Sequence, residues 1–242
     1  NSTNDRAVTA NYEPGSVNKV ITLAAALEEG LVSPEQVVQV PSSLQVADHT
    51  YQDSHPGNLT VTDILAKSSN VGTIKIAQLL GEERLDEYLR RFGFGRDTGL
   101  GLPHEENGQV PPVDDWSGTS IGSIPLGQGI SVTAMQMLFA YNVIANDGVY
   151  VPPTLVRATV DEGGERHDVL RDESHRVVSP VTASLPQMRK TTCSPRLNVL
   201  LCVQPIGRGG VPGAGRVPLT VSTYRNTLMR WGAWARAGIA TA

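Results

Sequence analysis

Residues 13–30 have the sequence EPGSVNKVITLAAALEEG, and the interpretation of the whole chain starts from them. Gly15 precedes an apolar run at helical spacing and Gly30 closes it, so the pattern predicts a buried helix that begins near Ser16. Residues three apart on a helix lie one above the other, so Ser16 and Lys19 share a face and the hydroxyl lies within reach of the amine. The stretch therefore predicts a nucleophile beside a base.

A lysine can act as a base at neutral pH only if its pKa is lowered. An ordinary lysine is protonated at neutral pH, so Lys19 must have its pKa lowered by roughly 3 units before it can accept a proton. Burial among the apolar residues of the run would supply such a shift, because desolvation disfavours the ammonium form. The S-x-x-K pattern alone would arise about 0.3 times by chance in this composition, so a plain helix N-terminus is the alternative interpretation.

Length and composition limit the kinds of protein this can be. With 242 residues, 40% of them hydrophobic, the chain suffices for one or two globular units, and its net charge of −4 argues against nucleic-acid binding. No apolar run reaches the ~18 residues of a membrane span. The chain starts with Asn1, which suggests a piece whose signal or anchor lies upstream. Two cysteines and five histidines lack ligand spacing, so we expect no metal and no cofactor.

Periodicity and turn residues predict the other elements. Helices are expected from Thr60 with a capping box to Asp63, from Val71 to a stop at Gly81, from there to Gly93, and from Thr133 to Ala145, the last one expected. Strands are expected at Ala7–Thr9, Val37–Val40, Val149–Val151 and Leu155–Val160, the last followed by a turn at 162–164. Residues 42–58 are expected to be polar and rich in turns, and 95–129 form a segment long enough to be functional or to contain short strands.

A second candidate element lies between two predicted helices. Ser68 and Asn70 form an S-x-N pattern, which chance would supply about 0.8 times in this chain. Its place between two amphipathic helices favours a rigid turn whose side chains have fixed directions. The Ser68 hydroxyl could then relay a proton and the Asn70 amide could hold a peptide backbone. Ser69 is better explained as the N-cap of the next helix.

Four segments in order resemble one family. EPGSVNK, LAKSSNVGTIKIA, FGFG and GQGISVTAMQM, within residues 5–183, resemble the transpeptidase domain of class B penicillin-binding proteins, the division-associated kind above all. The resemblance implies an α+β fold like that of penicillin-binding protein transpeptidases and serine beta-lactamases. In that fold a helical subdomain packs on an antiparallel sheet with the site between them. This chain would supply mostly the helical subdomain and an incomplete sheet.

The resemblance also implies roles. Ser16 is expected to be the acylated nucleophile, Lys19 its base, Ser68 the proton relay and Asn70 a substrate contact, while Gly127–Thr133 is expected to pack behind the site. The implied activity is a D,D-transpeptidase that cross-links peptidoglycan stem peptides through a seryl acyl-enzyme and that beta-lactams inhibit. Other cell-wall synthesis or division proteins are expected as partners. The expected location is the cell envelope, on the outer side of the cytoplasmic membrane, with an N-terminal anchor that this chain lacks.

The third motif of the family, Lys-Thr-Gly or Lys-Ser-Gly, does not occur in this chain. The nearest candidates are Lys190-Thr191-Thr192, which lacks the glycine, and residues 237–242, which lack the lysine. In the family this strand supplies an oxyanion-hole amide, and loss of one such donor costs on the order of 10²- to 10³-fold in turnover. Two alternatives stay open: a serine beta-lactamase, for which no glutamate stands in a suitable short motif, and a non-catalytic beta-lactam-recognising sensor domain.

The composition of the chain changes near residue 188. We predict an incomplete transpeptidase domain at 1–188 and an anomalous, poorly ordered tail at 189–242, which has eight basic residues and no acidic ones. From about Gln187 onward the tail is interpreted as an out-of-frame or misjoined translation, with a genuine basic tail as the alternative. The test is the nucleotide sequence read in the other two frames after Ala183. If neither frame restores a Lys-Thr-Gly or Lys-Ser-Gly strand, the hypothesis fails.

Overall fold

Helices dominate the structure, and the strands occur in short antiparallel pairs. The computed structural model describes residues 5–156, 158–169 and 173–185, all within one unit, Asn1–Thr191. The α-helices of these residues are α1 (Arg6–Thr9), α2 (Lys19–Glu28), α3 (Val61–Ala66), α4 (Asn70–Leu80), α5 (Glu82–Arg91), α6 (Ser120–Ser123), α7 (Ala134–Ala145) and α8 (Pro180–Ser184). Short 3₁₀ turns lie at Gly15–Asn18, Val113–Asp115 and Ile124–Leu126.

The strands are β1 (Val37–Val40), β2 (Ser43–Val46), β3 (His49–Gln52), β4 (Gly57–Thr60), β5 (Val149–Tyr150), β6 (Ala158–Val160), β7 (Arg166–Asp168) and β8 (His175–Arg176). They form the antiparallel pairs β1–β4, β2–β3, β5–β8 and β6–β7. In register, Val37 faces Thr60 and Ser43 faces Gln52. No sheet in the described part of the chain exceeds two strands. The predicted α+β fold is confirmed, and the part of the chain that the structure describes contains helices and short antiparallel strand pairs.

Helix α2 is the centre of the core. Every residue from Lys19 to Ala26 is buried, and the helix packs against α3, α4, α5 and α8. Apart from Lys19 and Thr22 these residues are apolar, and a helix buried around its whole circumference must be enclosed on all sides. The small side chains of Ala24, Ala25 and Ala26 leave room for neighbouring helices to approach closely. Residues 13–30 therefore contain the element around which the other helices assemble.

Local capping signals place three helix starts where the sequence predicted them. Thr60 caps α3 with a complete capping box to Asp63, and Thr133 caps α7 with the same arrangement to Gln136. Ser69 caps α4 through its hydroxyl, as predicted. Each of these signals lies within four consecutive residues, so the local sequence is enough to recognise it.

The sequence predicts that the helix from Thr133 is the last one, but the structure contains a further helix, α8. The carboxylate of Glu28, at the end of α2, accepts a hydrogen bond from the Ser179 backbone amide at 2.8 Å and another from the Thr182 hydroxyl at 2.7 Å. Partial burial alone would raise the pKa of Glu28, but these bonds lower it overall. The partners lie 151 and 154 residues apart in sequence, so no local pattern announces the contact.

The predicted strand at Ala7–Thr9 is wrong, since these residues belong to the one-turn helix α1. The Asp5 carboxylate accepts a hydrogen bond from the Ala7 backbone amide at 3.0 Å and caps the turn. Val8 is completely buried, and the turn packs against α7. A single apolar residue buried on a partner decides the conformation here, and three residues are too few for a period to show.

The expectation that residues 42–58 are merely polar turns is also wrong. The segment contains the hairpin β2–β3 and the beginning of β4. Val46 and Tyr51 point inward and pack with Ile74 and Leu126 in one buried cluster. The buried residues of this hairpin are few, and solvent-exposed polar residues separate them along the sequence. This pattern is typical of an antiparallel hairpin that has one face in solvent.

The long segment 95–129 contains α6 and two 3₁₀ turns, and its only strand-like pairing among the described residues is an isolated bridge between Gln109 and Ser131. The later strands are shorter than predicted. The hypotheses on Lys190-Thr191-Thr192 and on the tail from Gln187 fall outside the described residues. No helix in the described part of the chain is both long and apolar enough to cross a bilayer.

Candidate functional site

Ser16 lies on the 3₁₀ turn that leads into α2, and its side chain is exposed. The backbone amide of Lys19 donates to the carbonyl of Ser16, so the two residues stand one turn apart as their spacing predicted. Among the described residues, however, no hydrogen bond joins the Ser16 hydroxyl to the Lys19 amine. The exposed hydroxyl is free to meet a substrate, while the amine points into the protein.

The Lys19 amine is buried and is surrounded by oxygen atoms of the turn between α3 and α4. The side chain is 1% exposed. Its Nζ lies 2.6 Å from the Ser68 carbonyl oxygen, 3.0 Å from the Ser68 hydroxyl and 2.6 Å from Asn70 Oδ1. The structure thus brings Lys19, Ser68 and Asn70 together in one hydrogen-bonded group, although they come from segments about fifty residues apart.

The three acceptors differ in what they permit when the amine loses its proton. A carbonyl oxygen and an amide oxygen only accept hydrogen bonds, whereas a hydroxyl both donates and accepts. A neutral Lys19 would keep its two hydrogens on the Ser68 carbonyl and on Asn70, and its lone pair would receive the Ser68 hydroxyl proton. Ser68 is therefore the one group of the three through which a proton can pass to or from Lys19.

Burial lowers the pKa of Lys19 to about 8, against an opposing effect of the negative charge on Asp53. At pH 7 about a tenth of the amines are then neutral. The shift is in the direction that a general base requires, and its cause is the one that the apolar sequence around Lys19 predicted.

The turn that carries Ser68 and Asn70 is held from behind by Asp53. This carboxylate accepts hydrogen bonds from the Ser69 hydroxyl at 2.6 Å and from the Val71 backbone amide at 2.8 Å. Partial burial alone would raise the pKa of Asp53, but these bonds and the Lys19 charge lower it overall. Sequence reasoning missed this residue. Its local contact to the His55 amide resembles many ordinary Asx turns and gives no hint of the partners 16 and 18 residues ahead.

The turn that carries Ser16 is held by the segment Gly127–Thr133 and by α7. The Gly15 amide donates to the Gly127 carbonyl at 3.0 Å, and the Tyr141 hydroxyl donates to the Val17 carbonyl at 3.0 Å. Gly127 has a φ of +76°, and a Cβ there would lie 2.3 Å from the Gly15 carbonyl oxygen. The segment packs directly behind the candidate nucleophile, as the sequence analysis expected.

A possible metal-binding group lies elsewhere in the described residues. Asp161, Glu165 and His167, around the β6–β7 turn, place one ligand atom each within 4.8 Å of one another, and all three are exposed. His167 Nε2 lies 3.0 Å from the Asp161 carboxylate, an ordinary surface contact. None of the three belongs to the hydrogen-bonded group of Lys19.

The sequence of the chain is similar to those of known proteins. Residues 1–191 match the family model described as penicillin binding protein transpeptidase domain. The chain is 46% identical over 180 residues to the penicillin-binding protein PbpB of Mycolicibacterium smegmatis, an alignment that covers 73% of this chain and 28% of that protein. It is 33% identical over 164 residues to the peptidoglycan D,D-transpeptidase FtsI of Escherichia coli K12, covering 67% of this chain and 28% of FtsI.

The fold matches a solved structure as well. The crystal structure of penicillin-binding protein 3 from Mycobacterium tuberculosis in complex with aztreonam superimposes with a TM-score of 0.74 at 43% sequence identity. The match covers 85% of this chain and 45% of the crystallised one. The chain therefore spans less than a third of the length of these two curated relatives and under half of the solved one.

Proposed function

Because the chain belongs to the family of penicillin-binding protein transpeptidase domains, of the division-associated class B type that its motifs predicted, we propose that Ser16 is the nucleophile of a peptidoglycan D,D-transpeptidase. The observation that carries the proposal is the buried Lys19 amine, which stands one turn from the exposed Ser16 and is bonded to Ser68 and Asn70. A buried amine with a lowered pKa, next to a hydroxyl that can relay a proton, has the properties of a general base.

The proposed reaction proceeds in two steps. The Ser16 oxygen attacks the carbonyl carbon of a stem peptide, and the Lys19 amine takes the hydroxyl proton. The C–N bond to the terminal residue of that peptide breaks, and the leaving amine receives its proton through the Ser68 hydroxyl. An amine of a second stem peptide then attacks the ester, and the C–O bond to Ser16 breaks as the new C–N bond forms the cross-link. The proton lost by that amine passes through Lys19 to the Ser16 oxygen. Asn70 is positioned by its hydrogen bonds to Lys19 and to the Gln52 carbonyl. We propose that its side-chain amide contacts the backbone of the substrate peptide.

The same proposal covers inhibition by beta-lactams, the location of the domain in the cell and its protein partners. A beta-lactam presents a strained amide carbonyl to the same serine, and the solved relative was crystallised with aztreonam. The domain would work in the cell envelope, on the outer side of the cytoplasmic membrane where its substrate lies. Other cell-wall synthesis or division proteins are proposed as partners, and nothing in the charge of the chain favours a nucleic acid.

A fluorescent penicillin tests the proposal. We expect the longest form of the protein that the gene encodes to be labelled stably and stoichiometrically, with the adduct on the Ser16 peptide by mass spectrometry. Label that forms and is rapidly hydrolysed would instead indicate a serine beta-lactamase, and a protein that never labels would indicate a non-catalytic binding domain. The 242-residue chain, assayed in parallel, shows whether the site works without a Lys-Thr-Gly strand.

Gly127→Ala should disturb the site without touching a reacting group. The new Cβ would overlap the Gly15 carbonyl oxygen and displace the Ser16 turn, and a displacement of about 1 Å costs on the order of 10²-fold in rate. Gly129→Ala is the matched control, because its φ of +75° imposes similar backbone strain while its nearest neighbour would be 3.9 Å away. We expect the penicillin acylation rate to fall for Gly127→Ala only. Equal rates in the two variants would show that the Gly127 contact does not position Ser16.

A further inference from the structure

Asp53 occupies the connection between β3 and β4, and its carboxylate accepts three hydrogen bonds. Its Oδ2 accepts hydrogen bonds from the Ser69 hydroxyl at 2.6 Å and from the Val71 amide at 2.8 Å. Its Oδ1 accepts one from the His55 amide at 2.8 Å, which fixes the rotation of the carboxylate within its own loop. The carboxylate is therefore anchored on one side and holds the start of α4 on the other.

The backbone it holds is under strain. Ser68 has a φ of +56°, in the left-handed region that residues other than glycine avoid, and such a conformation persists only where the surroundings enforce it. That conformation directs both oxygens of Ser68 to the Lys19 amine, at 2.6 and 3.0 Å. The bonds from Asp53 attach to Ser69 and Val71, within three residues of Ser68.

We infer that Asp53 is a positioning residue, which fixes the Ser68–Asn70 turn in its Lys19-binding conformation and places a negative charge beside the ammonium form of the base. The inference rests on the proposed function for its catalytic meaning, but the geometric part concerns Lys19 itself. Asp53 touches neither Ser16 nor any atom that reacts in the proposed mechanism.

Other charged groups on the neighbouring helices are engaged elsewhere or exposed. Asp63 on α3 accepts hydrogen bonds from the amide and the hydroxyl of Thr60. Lys75 on α4 donates to the Gln39 carbonyl at 2.7 Å, and Lys67 is exposed and interacts with Asp63. Within the described residues, Asp53 is the charged group whose field acts on Lys19.

Asp53→Asn separates a charge effect from a merely structural one. Without the negative charge the ammonium form of Lys19 loses stabilisation, so we expect its titration midpoint, followed by heteronuclear NMR, to fall by about one unit. The pH at which penicillin acylation reaches its plateau should fall with it, while the plateau rate decreases several-fold because the turn is held less firmly. Asp48→Asn, an exposed change on the β2–β3 turn, is the matched charge control and should leave both midpoints unchanged.

Ser69→Ala tests the positioning with the charge of Asp53 kept, because it removes the hydrogen bond to the carboxylate together with the cap on the Gly72 amide. We expect a reduced plateau rate with an unchanged pH midpoint. A wild-type Lys19 midpoint in Asp53→Asn overturns the inference. Should Asp53→Asn lose cooperative thermal unfolding, Ser69→Ala decides, and a wild-type acylation rate there overturns it. A wild-type protein that never labels refutes the proposed function instead, while the NMR midpoint still reports on Asp53.

Discussion

Ser16→Ala is expected to abolish covalent labelling by penicillin. In the proposed mechanism the acyl bond is formed by the Ser16 oxygen, and Ser16 stands one turn before the buried Lys19 amine. Loss of a serine nucleophile costs on the order of 10⁶-fold in turnover in a comparable hydrolase, so no labelled band should remain. The measurement is gel fluorescence over time, with mass spectrometry of the Ser16 peptide.

Ser33→Ala provides the matched control for this variant. Ser33 is exposed in the loop after α2, and its hydroxyl makes no hydrogen bond among the described residues, so its removal should leave labelling and thermal unfolding as in the wild type. Ser16 is exposed as well, so its alanine variant should unfold at the same temperature as the control. Labelling that survives in Ser16→Ala would assign the nucleophile to another residue.

The features that the sequence predicted correctly depend on neighbours within one or two helical turns. The caps at Thr60 and Ser69 and the helix start at Thr133 were predicted, and in each case a side chain pairs with a backbone amide three residues later. The buried helix α2 follows from a run of apolar residues bounded by Gly15 and Gly30. Such signals are complete in the local sequence, so propensity and periodicity are enough to read them.

The features that the sequence did not predict depend on partners that are distant along the chain. Asp53 meets Ser69, Glu28 meets Thr182, and the Tyr141 hydroxyl meets the Val17 carbonyl across 124 residues. Each residue alone is a common polar side chain whose local pattern would suit a turn or a surface. Only the packing of α2, α4 and α7 around one core decides which polar groups face each other.

The relation between Ser16 and Lys19 depends partly on local sequence and partly on residues that are distant along the chain. Their spacing predicted a shared face, and the backbone bond across the 3₁₀ turn produces it. The spacing could not show that the lysine side chain turns away from solvent toward Ser68 and Asn70, because that direction is set by a turn about fifty residues later in the chain. A short motif therefore located the candidate base, and the tertiary fold supplied its hydrogen-bonding partners and its low pKa.

Lys19→Arg is expected to reduce acylation by about 10²- to 10⁴-fold, the usual contribution of a general base. A guanidinium stays protonated at any working pH, so it can bond to the Ser68 oxygens but cannot receive a proton from a hydroxyl. Lys75→Arg is the matched control, since that lysine only donates to a backbone carbonyl and arginine can do the same. Thermal unfolding of both variants shows whether the larger side chain is accommodated in the buried position.

The pH dependence of acylation gives the sharper form of this prediction. In the proposed mechanism the neutral amine is the active base. Because the pKa of Lys19 is about 8, wild-type acylation should rise with pH and level off above about pH 8. Below that value the rate should fall tenfold for each pH unit, because the neutral fraction does so. Lys19→Arg should show a low rate without this rise, since no group titrates at position 19. An arginine variant that labels at the wild-type rate, or that keeps the same rise, would mean that Lys19 is a structural residue and that another group takes the proton from Ser16.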